Sequence, residues 1–293
     1  MKIGIIGHRG GWHATALQAA LARRGIQAPF LDITHLTARL SIRPWLDVNG
    51  DPLEQYDALF VRLIPGGSLE QVIFRVDALH RLENAGVRVI NPPAAIERTV
   101  DKYYTSTLLE DAGLPTPRTI VAEQFNGAMD GFQELGGDVV VKPLFGSEGR
   151  GMTRVSDPDT AYRVFRALEL GRYIYYLQEF IPHRQEDFRI FVIGGEAVAA
   201  MVRRGESWKT NVAQGAEVRA LAMDDELREL SIRATSALGA DYAGVDILPT
   251  EDGGYTVIEI NGIPGWQGLV EATGVNVAEH LVTYVLKDVH GGA

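Results

Sequence analysis

The 293-residue chain is 46% hydrophobic and carries 28 basic against 38 acidic residues, for a net charge of −10 and a pI near 5.2. That balance disfavours nonspecific nucleic-acid or anionic-membrane binding, which needs a basic face, while the apolar share suffices for a large core split into two or three lobes. Zero cysteine excludes disulfides, thiol nucleophiles, iron–sulfur clusters and cysteine-based zinc sites. The first residues are too briefly apolar for a secretory leader, and no run approaches the roughly 20 apolar residues of a membrane span, so a cytoplasmic protein is expected.

In chain order, Lys2 to Gly7 reads as a buried strand, and Ala14, Leu17, Gln18 and Leu21 fall at helical spacing before a stop at Gly25. Strands follow at Ala28–Ile33, Leu59–Leu63 and Arg88–Ile90, with a helix over Leu69–Ala85. Asn91-Pro92-Pro93 breaks this alternation, so residues 1–95 are assigned to a parallel α/β lobe. A helix is predicted from Thr99 to Glu110, with Val100, Tyr104 and Leu108 on one side. Asp138–Lys142, Met152–Val155 and Ile174–Glu179 read as strands, and Asp157-Pro158 starts a helix as N-cap and first-turn proline. These make residues 96–182 a small α+β lobe. In residues 183–293, Phe188–Ile193 and Ala197–Val202 form a hairpin around Gly194-Gly195. A helix over Asp224–Leu238 precedes two apolar strands that end in oxygen donors, and a helix over Val277–Leu286 closes the chain.

Those two strands carry the strongest signal. Glu259 and Asn261 share a face because strand residues alternate, and an adjacent strand can set Asp246 beside them. Three oxygen donors of this kind suit Mg2+, which takes one or two carboxylates and completes its shell with waters and substrate phosphates. Upstream, Gly146, Ser147, Gly149 and Gly151 form a glycine-rich loop between two strands, able to close over phosphates through backbone N–H groups. A merely flexible turn has the same composition. Lys142 at the end of the preceding strand puts an ammonium at the mouth of that loop. Gln178, Glu179, Phe180 and Ile181 leave a strand with backbone groups suited to an adenine edge, although any strand-to-loop junction has such groups. Asp187 and Arg189 project from one face, as ribose and phosphate contacts or as a surface ion pair. Arg203 and Asn211 supply a cation and an amide near the donor strands, and a solvated mobile loop is the alternative.

The N-terminal glycines Gly4, Gly7 and Gly10, with Asp32 ending the second strand, partly match a dinucleotide fingerprint, so a NAD(P)-dependent oxidoreductase is the rival of another class. The spacing departs from G-x-G-x-x-G. Serine-hydrolase and zinc-protease motifs are absent.

Taken together and in this order, Lys102, Lys142, the glycine loop, the Gln178–Ile181 segment, Asp187 with Arg189, and Asp246 with Glu259 and Asn261 resemble the ATP-grasp ligases. Within them the chain is similar to the RimK-like enzymes, related to the ribosomal-protein S6 modification enzyme, that add α-linked glutamate. The resemblance implies a three-lobed α/β and α+β fold, with ATP clamped between the central and C-terminal lobes behind an N-terminal parallel-sheet pre-ATP-grasp lobe. It assigns Lys102 and Lys142 to the ATP phosphates, Gln178 to Ile181 to the adenine, Asp187 to the ribose, and Arg189, Arg203 and Asn211 to the phosphoryl group and an acylphosphate. ATP and Mg2+, with Mn2+ as the alternative, are the implied cofactors.

The segment from Ile263 to Leu269, containing Trp266, is similar to ligases that add glutamate to tetrahydromethanopterin. L-glutamate and a small carboxylate-bearing acceptor are therefore the expected substrates, with a protein C-terminus or the amino-group carrier of lysine biosynthesis as the alternative. His8, Arg62 and Trp266 are the candidates for the acceptor, against structural roles for Arg62 and a packed indole for Trp266. No nucleic acid and no membrane partner is expected, and a homo-oligomer is the expected assembly.

Overall fold

The computed structural model describes residues 1–146, 149–210 and 215–291. Three principal sheets succeed one another along the chain. The first is parallel, in the order Phe30–Leu31, Ile3–Ile6, Ala58–Val61, Arg88–Ile90. Its two central strands are wholly buried, as expected of parallel strands covered on both faces. The helices Trp12–Arg23 and Leu69–Asn84 provide the crossovers, the second opened by a capping box between Ser68 and Gln71.

The central sheet is antiparallel, in the order Thr153–Val155, Val139–Lys142, Tyr175–Glu179, Thr119–Ala122. The helices Phe125–Glu134 and Pro158–Leu170 seal one of its faces around Phe132, Phe165 and Tyr175. Asp157 caps the second helix by accepting the Thr160 N–H at 2.8 Å. The third sheet runs Glu217–Ala220, Glu196–Arg204, Glu186–Ile193, Tyr242–Pro249, Tyr255–Asn261, again antiparallel. Asp225–Ala237 covers one face through Leu227, Leu230 and Ala234.

The opposite face of this third sheet changes character halfway along. Strand alternation puts Asp187, Arg189, Phe191 and Ile193 on it together. The apolar half, with Tyr242 and Trp266, joins one core with Ile3, Leu17 and Leu281. The charged half remains for the site. Lobe boundaries in sequence are thus not boundaries of the core.

Several expectations are corrected. The helix expected over Thr99–Glu110 is two helices, Pro93–Val100 and Lys102–Asp111, because Asp101 leaves helical geometry and caps the second by accepting the Tyr104 N–H at 3.1 Å. The strand expected over Ala28–Ile33 contracts to Phe30–Leu31, since Asp32 caps a 3-10 turn at Ile33–His35. A small antiparallel sheet, Leu36–Ala38, Leu46–Val48 and Asp51–Pro52, was not expected at all. Among the described residues no helix is long and apolar enough to cross a membrane.

Candidate active site

A cleft opens between the central and third sheets. Val140, Met152, Ile181, Leu248 and Ile258 give it apolar walls suited to a flat ring, and Lys142, Asp187, Arg203, Asp246 and Glu259 line the same space. The glycine loop spans the antiparallel pair Val139–Lys142 and Thr153–Val155, and is therefore a hairpin loop, as the sequence suggests. Gly149 and Gly151 take φ of 69° and 77°, left-handed values that side-chain-bearing residues rarely adopt. Ser147 lies outside the described residues, as does Asn211.

Lys142 lines this cleft, and Lys102 stands close enough to act electrostatically on Lys142 and Glu259. Lys102, the first residue of its helix, donates to the Gly146 carbonyl at 2.7 Å and so ties the helix to the loop. Burial lowers its pKa, opposed by Glu259 and Asp101. Lys142 is lowered further, to about 8, by burial, against the pull of Glu259 and with a contribution from Lys102. A buried, underpaired ammonium gains when a polyanion arrives.

Register assembles the rest. Arg189 lies opposite Asp246, Asp187 opposite Arg203, Asp246 opposite Glu259, and Gly244 opposite Asn261. Directly opposed residues share a face. Arg189 forks onto Asp246, Nε to Oδ1 at 2.7 Å and Nη2 to Oδ2 at 2.6 Å. Arg203 forks onto Asp187 at 2.5 and 2.7 Å and also reaches Asp246 Oδ1 at 3.1 Å. Gly244 keeps the space open: a Cβ there would stand 3.0 Å from Pro264 Cβ and 3.7 Å from Arg189 Cδ.

The charges of this quartet balance. Burial pushes the Asp187 carboxyl up, with Arg203 and Thr210 pulling the other way. Burial also opposes the Asp246 anion, but Arg189 and Arg203 outweigh it and hold the carboxyl low. Arg203 itself is raised because Asp246 and Asp187 overcome the cost of its burial.

Asp246, Glu259 and Asn261 form an all-oxygen set that fits a hard divalent cation, with Asn261 Nδ2 3.4 Å from Asp246 Oδ2. Among the described residues no donor is bonded to Glu259, whereas both oxygens of Asp246 are engaged by guanidiniums. No cluster of three acidic, histidine or cysteine side chains exists among the described residues. The seat therefore has two carboxylates and needs phosphate oxygens or waters to complete it.

Asp187, Gln178, Glu179, Phe180 and Ile181 line the same cleft, and most of their side chains already have partners. Asp187 gives both oxygens to Arg203, and Oδ2 also accepts the Thr210 hydroxyl at 2.5 Å, so in this arrangement it offers no free oxygen to a ribose. Gln178 is 3% exposed, and its side chain accepts from Lys142, which leaves any adenine contact to the backbone of the segment. Glu179 binds Arg118 through both carboxylate oxygens, at 2.8 Å to the backbone N–H and 2.6 Å to Nε. Phe180 lies under the Arg154 guanidinium at 3.5 Å, and Ile181 offers its carbonyl to His183 at 2.8 Å.

Of the three acceptor candidates, Arg62 and Trp266 come together, but in a buried packing arrangement. His8 is exposed at the end of the first strand. Trp266 is 1% exposed, enclosed by Phe191, His13 and Arg62, which makes it a packed indole rather than a presented one. Arg62 stacks 4.3 Å from that indole and donates to Tyr242 Oη at 2.9 Å and Pro264 O at 2.6 Å, a structural role.

His13, which sequence reasoning passed over, completes this junction by accepting the Trp266 N–H at 2.9 Å. Burial, then Arg62, lowers its pKa to about 4. Thr210 was missed as well, since its meeting with Asp187 depends on tertiary placement. Asp32, the acid of the nicotinamide rival, accepts the N–H and hydroxyl of Thr34 through Oδ1 at 3.0 and 2.7 Å and serves as the cap of the 3-10 turn.

Comparisons with known proteins give the family and the fold. Residues 1–96 match the RimK PreATP-grasp domain and residues 99–285 the RimK-like ATP-grasp domain. The chain is 34% identical to the tetrahydromethanopterin:alpha-L-glutamate ligase of Methanosarcina acetivorans, covering 97% of this chain and 98% of that protein. It is 35% identical to the alpha-aminoadipate–LysW ligase LysX of Sulfurisphaera tokodaii, over 68% of this chain and 72% of the relative. Among solved structures, the ATP-grasp ligase PsnB complexed with a minimal precursor, Mg and ADP shares the fold, with a TM-score of 0.77 and 22% identity over 98% of both chains. None of these similarities supports the oxidoreductase reading.

Proposed function

The chain belongs to the RimK-like ATP-grasp family of ligases, and from that premise we propose that it uses ATP and Mg2+ to join L-glutamate to a small, carboxylate-bearing coenzyme of the tetrahydromethanopterin type. One observation carries the reading: Lys142, Arg203, Asp246 and Glu259 line a single cleft with apolar walls, Arg189 and Asn261 are bonded to Asp246 beside it, and Lys102 is near enough for its charge to act on Lys142 and Glu259. Phosphoryl transfer demands positioning and charge neutralisation more than a protein nucleophile, and these side chains supply both.

In the proposed reaction a carboxylate oxygen of the acceptor attacks the γ-phosphorus and the bond to the β-phosphate oxygen breaks, giving an acylphosphate and ADP. The glutamate amine then attacks the acyl carbon, loses a proton and expels phosphate, leaving an amide. Lys102 and Lys142 hold the ATP phosphates, Arg189 and Arg203 face the transferred group, and the glycine loop excludes water that would hydrolyse the intermediate. Asp246, Glu259 and Asn261 hold the cation, which when bound neutralises charge on the phosphate oxygens. Arg189 and Arg203 occupy the oxygens of Asp246, so a cation held there would share that carboxylate with the two guanidiniums. The lobes divide near residues 95 and 182.

The relationship to the Methanosarcina enzyme favours a coenzyme acceptor, and a cytoplasmic setting suits that substrate. The LysX relative favours a carrier-protein tail as the second reading. The test is incubation of purified protein with ATP, Mg2+, glutamate and either a tetrahydropterin coenzyme or a carrier protein. Product mass and the nucleotide released are then measured. ADP and a glutamyl-coenzyme are expected from the wild type, and neither from Glu259→Gln. AMP as the nucleotide product would sink the acylphosphate route, and modification of the carrier alone would replace the coenzyme reading with the second one.

A further inference from the structure

We propose that Tyr176 and Gln178 are positioning residues of the nucleotide site: they fix the place of the Lys142 ammonium and join it to the helix that begins with Lys102. The inference rests on the nucleotide reading above.

Alternation along Tyr175–Glu179 sends Tyr175 and Leu177 into the core of the central lobe. Tyr176 and Gln178 go to the other face, yet they are only 2% and 3% exposed. Lys142 lies directly opposite Tyr176, and Thr119 directly opposite Gln178. A continuous polar chain links them. Lys142 Nζ donates to Gln178 Oε1 at 2.5 Å, and Gln178 Nε2 reaches Thr119 Oγ1 at 3.1 Å and Tyr176 Oη at 3.4 Å. The Tyr176 hydroxyl meets the Ser106 hydroxyl at 2.8 Å. Ser106 follows Lys102 by four residues, one helical turn, so both stand on one face of Lys102–Asp111.

A sheet–helix junction that served packing alone would be closed more cheaply by apolar side chains, since each buried polar group needs its own partner. Here the chain ends on an ammonium. Lysine is a flexible stem with three rotatable donors, and Nζ of Lys142 has one hydrogen-bond acceptor among the described residues. The acceptor's location therefore decides where the charge stands. Gln178 cannot swing away, because its amide nitrogen is held by Thr119 and Tyr176. It is also neutral, so it orients the ammonium without cancelling the charge that meets phosphate, as a glutamate in its place would. Through Ser106, the same chain sets the distance between the two lysines.

The experiment is calorimetric titration of the full chain with ADP and with adenosine, which lacks phosphates. The proteins are wild type, Gln178→Leu, Tyr176→Phe, Lys142→Met and the Gln178→Leu/Lys142→Met double variant. Gln178→Leu is expected to weaken ADP about tenfold, the value of a hydrogen bond to a charged group, while adenosine changes less than about twofold. Its effect should vanish in the Lys142→Met background, because it passes through the ammonium. Tyr176→Phe keeps the ring and removes only the hydroxyl, so it tests the chain even if the leucine variant fails to fold, and should weaken ADP selectively as well. Equal weakening of ADP and adenosine, or additive losses in the double variant, would overturn the inference. A wild-type chain that binds no ADP would overturn the underlying nucleotide reading and this inference with it.

Discussion

Arg203→Met gives the most direct test of the charge quartet. The side chains of Arg203, Asp187 and Asp246 are 2%, 4% and 2% exposed, and the guanidinium contacts both carboxylates. Methionine fills much of the volume but leaves two buried carboxylates with one cation, Arg189. Breaking a buried pair from one side costs about 3–5 kcal/mol. With an unfolding entropy of roughly 2.1 cal/mol/K per residue, the 293 residues give about 0.6 kcal/mol/K. A loss of about 4 kcal/mol then lowers Tm by roughly 6–7 °C.

The assay is thermal melting followed by circular dichroism at neutral pH. Adding Asp187→Asn removes the stranded charge and should recover more than half of the loss. Acidification should help too. Burial already raises the Asp187 pKa, and losing Arg203 lets it rise further. A carboxyl whose folded pKa exceeds the unfolded one destabilises the fold above that folded value, and the penalty fades as pH falls through it. A variant that melts within about 1 °C of wild type, or that Asp187→Asn fails to restore, refutes the reasoning.

Three further outcomes are expected. Lys142 is lowered to about 8, so ADP affinity should fall as pH rises through that value, and titrations near it should show proton uptake that disappears in Lys142→Met; a flat profile from pH 7 to about 9 would count against the ammonium as a phosphate ligand. Asn91 is fully buried and makes four hydrogen bonds, to Tyr242 O, Gly262 O, Asp241 N and Tyr242 N. Asn91→Ala should therefore cost upwards of about 3 kcal/mol in denaturant unfolding, and a loss below about 1 kcal/mol would mean that water replaces the amide. His13 is neutral in the fold, with its pKa lowered to about 4 from 6.5. Its contribution is full above the unfolded pKa and is lost as pH falls from 6.5 towards 4; a His13→Gln variant should flatten that part of the stability profile, and an unchanged slope would remove His13 from the account.

Much of the site was legible because its residues obey a period of two. Asp187 and Arg189 fall two apart, as do Glu259 and Asn261, and an apolar context marked each stretch as a strand. Which strand lies beside which is a matter of register, so the Asp187–Arg203 and Arg189–Asp246 forks were out of reach of local pattern. The bond from Lys142 to the Gln178 side chain was out of reach for the same reason, since it depends on which strand lies beside Tyr175–Glu179.

The helix Phe125–Glu134 was hidden by Gly127 and Gly131, poor helix formers. Gly131 is needed where it stands, since a Cβ there would be 2.7 Å from Ile120 Cγ2. Asp101 did carry a capping signal, but the run of apolar residues at helical spacing masked the break. The strands between Leu36 and Pro52 are two or three residues long, too short for any period to show.

The shared core of the first and third sheets also governs how the chain is made. Ile3, Leu17 and Leu21 are covered by Leu281, Val282 and Val285, and Arg23 reaches Glu279 at 2.5 Å. At a translation rate of roughly 5–20 residues per second, the stretch from Arg23 to Leu281 takes about 13–50 s to synthesise. For that interval the apolar flank of the first helix lacks the cover that Leu281, Val282 and Val285 give it in the finished fold.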